Sequence, residues 1–120
     1  MDARLREGIR LFNAGRYFES HESLEDFYSR AEEGHKPFLE GLIQLAAACR
    51  LFCDFGEVEG TVRMVHQAMI RLENYQPTYL RIRVERLIHA MEQWAKQVEA
   101  KSQAGREEIP KIRMRRFIFF

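Results

Sequence analysis

Residues 13–33, NAGRYFESHESLEDFYSRAEE, carry six carboxylates and one histidine at helical spacing. Tyr17, His21, Leu24 and Tyr28 fall at i, i+4, i+7 and i+11, and Phe27 and Ala31 widen that stripe, so the imidazole sits within the apolar side. Glu22 and Glu25 form the adjoining edge, and His21 and Glu25 are close enough at i,i+4 to touch. An imidazole and two carboxylates at the boundary of core and solvent make a setting where pKa values shift and ligands converge. Glu19, Asp26, Glu32 and Glu33 point more outward and read as ordinary solvated charge.

A second polar pair, Glu40 and Gln44, lies four residues apart on the mostly apolar stretch PFLEGLIQLAAACRLFC. An unpaired buried amide costs about 1–3 kcal/mol, so these residues need partners. The nearest in sequence are on the preceding helix. The expectation is a polar cluster of His21, Glu22, Glu25, Glu40 and Gln44 between the second and third helices. Such a cluster can be a hydrogen-bond network that fixes helix register, or a pocket for a small polar ligand or peptide segment. It can also be a divalent-metal site on His21, Glu22 and Glu25, with hydrolysis as the chemistry it would serve, for which oxygen-rich ligation suits Mg, Mn or Fe better than structural Zn.

The metal pattern is incomplete. A di-iron bundle needs Glu-x-x-His on two helices, and HESLE has glutamate where H-E-x-x-H needs its second histidine. There is no G-x-S-x-G and no glycine-rich phosphate loop. Whether the chain is an enzyme stays open, and no cofactor is expected unless the metal alternative holds. His35 beside Lys36 reads as solvated, and His66 and His89 as boundary residues of their helices.

The elements that must position these groups are helical. Apolar spacing predicts helices at about 2–13, 16–31, 37–53, 57–74 and 78–102. Asn13-Ala14-Gly15, Gly34 and Gly56 stop the first three, while Pro37 and Pro77 fit restarts. The third helix is apolar nearly all round and should be central, with Cys49 and Cys53 as small core residues. Short loops imply antiparallel neighbours. Arg81, Arg83 and Arg86 form a basic edge on the fifth helix that could meet the acidic second helix of another copy. The fold class is therefore all-α, a single-domain bundle of about five helices over 1–102 with a short extended tail over 103–120.

In the tail, Ile112 and Met114 alternate with Arg113 and Arg115 at a period of two, and Phe117-Ile118-Phe119-Phe120 ends the chain. Four exposed apolar residues would invite aggregation, so they are expected to dock in the bundle or on a partner subunit, most simply as self-association. A formal net charge of +1 argues against nucleic acid and membrane surfaces as partners, leaving an unidentified small ligand or protein. No apolar run approaches the roughly 20 residues of a membrane span, and the charged opening MDARLREGIR lacks a signal segment; the cytoplasm is the expected location.

FNAGRYFESHESLEDFY followed by FLEGLIQLAAA resembles the bacterial and archaeal family catalogued as domain of unknown function 309. Its pattern is F-N-x-G-x-[YF]-[FY]-E-A-H-E-x-L-E-x-x-W, then G-L-I-Q-x-A. Phe12, Asn13, Gly15, Tyr17, Phe18, Glu19, His21, Glu22, Leu24 and Glu25 match the first motif, and Gly41, Leu42, Ile43, Gln44 and Ala46 the second. Ser20 stands for the usual Ala and Tyr28 for the usual Trp. The resemblance covers about residues 5–75, implies a small all-helical bundle, and implies no activity.

Overall fold

The computed structural model describes residues 1–100, 105 and 108–115. Among these residues five α-helices follow in order: α1 Ala3–Asn13, α2 Tyr17–Arg30, α3 Lys36–Phe55, α4 Val58–Leu72 and α5 Val84–Glu99. The strongest helix contacts all lie between sequence neighbours, α1 on α2, α2 on α3, α3 on α4 and α4 on α5. The described residues thus form an all-α bundle in which each helix packs on the next in sequence. No helix among the described residues is long and apolar enough to cross a membrane.

Local chemistry sets the ends. Asp2 caps α1, its carboxylate accepting from the Arg4 N–H at 2.8 Å. Gly15 then turns the chain at φ 78, a left-handed conformation open to glycine without steric cost. Gly56 closes α3 the same way, its N–H returning to the Phe52 carbonyl. Between α1 and α2, Gly8 leaves no room for a side chain: a Cβ there would lie 2.7 Å from Leu24 Cδ2. The same close approach lets the buried Ser20 hydroxyl donate to the Gly8 carbonyl at 2.7 Å, so the family departure at that position is satisfied.

α3 is the central element. Phe38, Leu39, Leu42, Leu45, Ala46, Ala48 and Cys49 are buried on it, which fits its all-round apolar sequence. Cys49 is a free thiol whose burial pushes its pKa well up, so it is inert core. Trp94 of α5 packs edge-on against Phe52 with ring centroids 5.2 Å apart.

The fifth helix departs from the sequence reading. It begins at Val84 rather than near 78, because Tyr79–Ile82 forms a tight two-residue hairpin. Ile82 is fully buried and bridges Met114 from the C-terminal segment, a contact that outweighs continuing the helix. Arg81 and Arg83 therefore precede α5 instead of lying on its face.

The described part of the tail packs on its own chain. Ile109 and Ile112 are buried, whereas Arg113 and Arg115 are exposed, as the period of two predicts. The Asn13 side chain grips Ile112 on both sides, donating to its carbonyl at 2.9 Å and accepting from its N–H at 2.7 Å. Residues 108–115 thus link the end of α1 to the start of α5. The expected docking of Phe117, Ile118, Phe119 and Phe120 lies outside the described residues.

Candidate functional site

The predicted polar cluster assembles in part. His21 Nε2 lies 3.5 Å from Glu25 Oε1 on α2. Glu40 and Gln44, one turn apart on α3, are bound together by Arg71 of α4, whose Nη1 is 3.0 Å from Glu40 Oε2 and whose Nε donates to Gln44 Oε1 at 3.1 Å. Tyr28 of α2 completes the set by donating to Glu40 Oε1 at 2.8 Å. Glu25, Tyr28, Glu40, Ile43 and Gln44 line an open cavity of about 400 Å³. Glu22 points into solvent and joins none of these contacts.

Both Glu40 oxygens and the Gln44 carbonyl are therefore occupied by donors from neighbouring helices. That arrangement clamps α2, α3 and α4 in register. Arg71 suits it because its planar fork serves two acceptors at once. The acceptors are legible in the sequence and the donors are not: Tyr28 falls on the apolar stripe, and Arg71 lies beyond the adjoining hairpin. Among the described residues, no three His, Cys, Asp or Glu groups come close enough to hold a metal ion.

The clamp has a titration consequence. The Tyr28 phenol lies above its ordinary value of 10.0, chiefly because it donates to the Glu40 carboxylate, and burial adds to this. Tyr79 is also raised, by burial first and then by Tyr75 and Glu32. A pKa raised by folding contributes stability that is complete below the unfolded value and lost as pH rises through the folded one. The unfolding temperature should fall as pH climbs above 10.0 and these phenols lose their protons. A series of melts with Tyr28→Phe alongside checks this, because the variant should lose less over the same interval.

A second concavity was not legible in the sequence. It holds about 410 Å³ and is walled by Met1, Leu5, Phe27, Ala31 and Leu80, with Asp2, Arg30, Glu32, His35 and Arg81 at polar positions. That volume is within the range of small-molecule sites. His35 is not free in solvent: it is half-buried, its Nδ1 hydrogen-bonds the Tyr79 hydroxyl, and its ring meets Tyr79 edge-on at 5.5 Å. Tyr79 in turn belongs to an aromatic group with Phe38 and Tyr75, at centroid distances of 4.9 and 4.6 Å.

The hairpin that carries Tyr79 breaks a local rule. Tyr79 and Ile82 exchange backbone hydrogen bonds at 3.0 and 2.8 Å, and the two residues between them, Leu80 and Arg81, have φ of 46 and 66. This turn type favours Asn-Gly, because both central residues are left-handed. A leucine and an arginine there store strain on the order of 1–3 kcal/mol each. Both side chains line the cavity. The double replacement Leu80→Asn with Arg81→Gly should stabilise the fold by about 1–2 kcal/mol in denaturant melts.

Fold and site together define a small all-helical protein with a strained turn over a mixed polar and apolar cavity. The sequence model of a family described as a domain of unknown function, DUF309, matches residues 5–64, half of the chain, and the protein belongs to that family. A comparison with the curated proteins finds no match. Leu5, Phe27, Arg30, Ala31, Glu32 and His35 lie within the matched region, whereas Leu80 and Arg81 lie beyond it.

Proposed function

We propose that this protein is a small cytoplasmic binding module whose ligand is a compact, partly apolar carboxylate held beside the Tyr79–Ile82 turn. The observation that carries the reading is the left-handed Leu80–Arg81 pair, a conformation that costs stability and sets both side chains on one cavity wall. Leu5, Phe27, Ala31 and Leu80 supply apolar surface for a chain or ring. The Arg81 guanidinium, whose Nη2 donates to the Arg115 carbonyl at 3.1 Å, brings a planar set of five donors to the wall, and Arg30, paired with Asp26 at 3.5 Å, stands at the rim. Tyr79 fixes the His35 ring, so this group is oriented before a ligand arrives.

In this reading the Tyr28–Glu40–Arg71–Gln44 clamp is scaffold, and its role is to hold α2 and α3 so that the cavity keeps its shape. No observation favours a metal-dependent enzyme on His21, Glu22 and Glu25. Octanoate titrated into ¹⁵N-labelled protein tests the proposal. Saturable amide shifts centred on Ala31, His35, Leu80 and Arg81 are the expected result. Shifts that never saturate, or that centre on other residues, would contradict it.

A further inference from the structure

Arg83, Arg86 and Arg115 line a separate cavity of about 260 Å³ together with Pro77, Thr78 and Glu85. They come from two distant stretches of chain, the approach and first turn of α5 and the C-terminal segment. Backbone pairing brings them together. The Arg83 N–H donates to the Arg113 carbonyl at 2.9 Å and the Arg115 N–H to the Arg81 carbonyl at 2.7 Å, on either side of the Ile82–Met114 bridge. Arg83 therefore stands opposite Arg113, and Arg81 opposite Arg115. Like charges directly opposite one another across paired strands are destabilising.

This crowding is not a general property of the protein. The net charge is only +1. Arg4, Arg10, Arg16, Arg30, Arg50 and Arg71 each have a carboxylate within 4.0 Å. Among the described residues, Arg83, Arg86, Arg113 and Arg115 form no such pair, nor do Arg6 of α1 and Arg63 of α4, but the first four are gathered by the backbone pairing. Asn13, Ile109 and Ile112 hold the C-terminal segment in place, and so keep three arginines against one carboxylate, Glu85, around one small cavity.

We infer that this cavity binds the phosphate group of a small phosphorylated molecule. Guanidinium forks recognise phosphate bidentately, and the Thr78 hydroxyl supplies a further donor. The volume falls below the roughly 300–1,000 Å³ of sites that enclose a whole drug-sized ligand, which suits a mono- or diphosphate group with the rest of the molecule outside. The site shares no lining residue with the carboxylate cavity, although Arg115 pairs with the backbone of Arg81.

Calorimetric titration of the full chain with pyrophosphate, at constant ionic strength, tests it. Saturable binding is expected, weakened at least about tenfold, or about 1.4 kcal/mol, in Arg86→Gln and in Arg115→Gln. Arg6→Gln, which changes an exposed arginine on α1, should leave it unchanged. Melting each variant shows whether the fold is kept, and Arg86→Gln alone decides the matter if Arg115→Gln loosens the C-terminal segment. No saturable binding to the wild type, or an equal loss in Arg6→Gln, overturns the assignment. So does a labelled single-stranded oligonucleotide that binds where pyrophosphate does not, because the charge would then serve a nucleic-acid backbone.

Discussion

Phe38→Ala should lower stability by about 3–5 kcal/mol, the usual cost of emptying a buried phenylalanine site. Phe38 is wholly buried near the start of α3 and meets Tyr75 and Tyr79 edge-on, at centroid distances of 5.2 and 4.9 Å. The loss should exceed that of an equally buried aliphatic residue, because each aromatic pair adds about 0.5–1.5 kcal/mol beyond its area. The effect also reaches the carboxylate cavity. Tyr79 would lose the ring that fixes it, and His35 would lose its fixed partner. Phe38→Leu keeps most of the volume and should recover most of the stability while still loosening Tyr79. Urea melts of the two variants, with ring-proton spectra of Tyr79, separate the packing effect from the positioning effect.

Asn13→Ala should remove about 1–3 kcal/mol through its two hydrogen bonds to the Ile112 backbone alone, bonds that span 99 residues of sequence. The larger consequence is the release of the segment they hold. Ile109 and Ile112 would leave the core, each worth about 1.5–3 kcal/mol of burial. Hydrogen exchange reads this directly. The Arg83 and Arg115 amides, bonded to the Arg113 and Arg81 carbonyls, should lose protection ahead of the α3 amides. Equal loss throughout would mean that Asn13 serves only the end of α1. Asn13→Asp keeps an acceptor for the Ile112 N–H but sets a carboxylate against its carbonyl, and should behave like the alanine variant.

The residues explain which parts of the fold are legible in sequence. α1 to α4 follow from apolar steps of three and four with glycine or proline at the breaks, and both signals are local. The apolar stripe of α5 is legible for the same reason, but its start is not. Leu80 fits the stripe that Val84 and Leu87 continue, so the sequence reads as one helix from 78. What breaks it is the pairing of Ile82 with Met114, which no local window contains. No Asn-Gly marks the turn, because Leu80 and Arg81 occupy it.

The polar cluster was half legible. Glu40 and Gln44 on an apolar helix announce a need for donors, but which donors depends on helix rotation and on a third helix, so Arg71 carries no local signal. Sequence spacing places Glu22 beside His21, and the rotation of α2 turns it to solvent. His35 looked solvated because its partner Tyr79 lies 44 residues away. Asn13 marks the end of α1, as its place before Ala14-Gly15 indicates, but its grip on Ile112 is visible only in three dimensions.

The most direct test of the binding reading is the octanoate affinity of the double variant Leu80→Asn with Arg81→Gly, compared with the wild type. The strained turn has a functional purpose if the variant melts higher and binds at least about tenfold more weakly, since stability is then surrendered in exchange for a ligand. A variant that melts higher and binds octanoate as tightly as the wild type would contradict the account, because Leu80 and Arg81 would then have no part in the site.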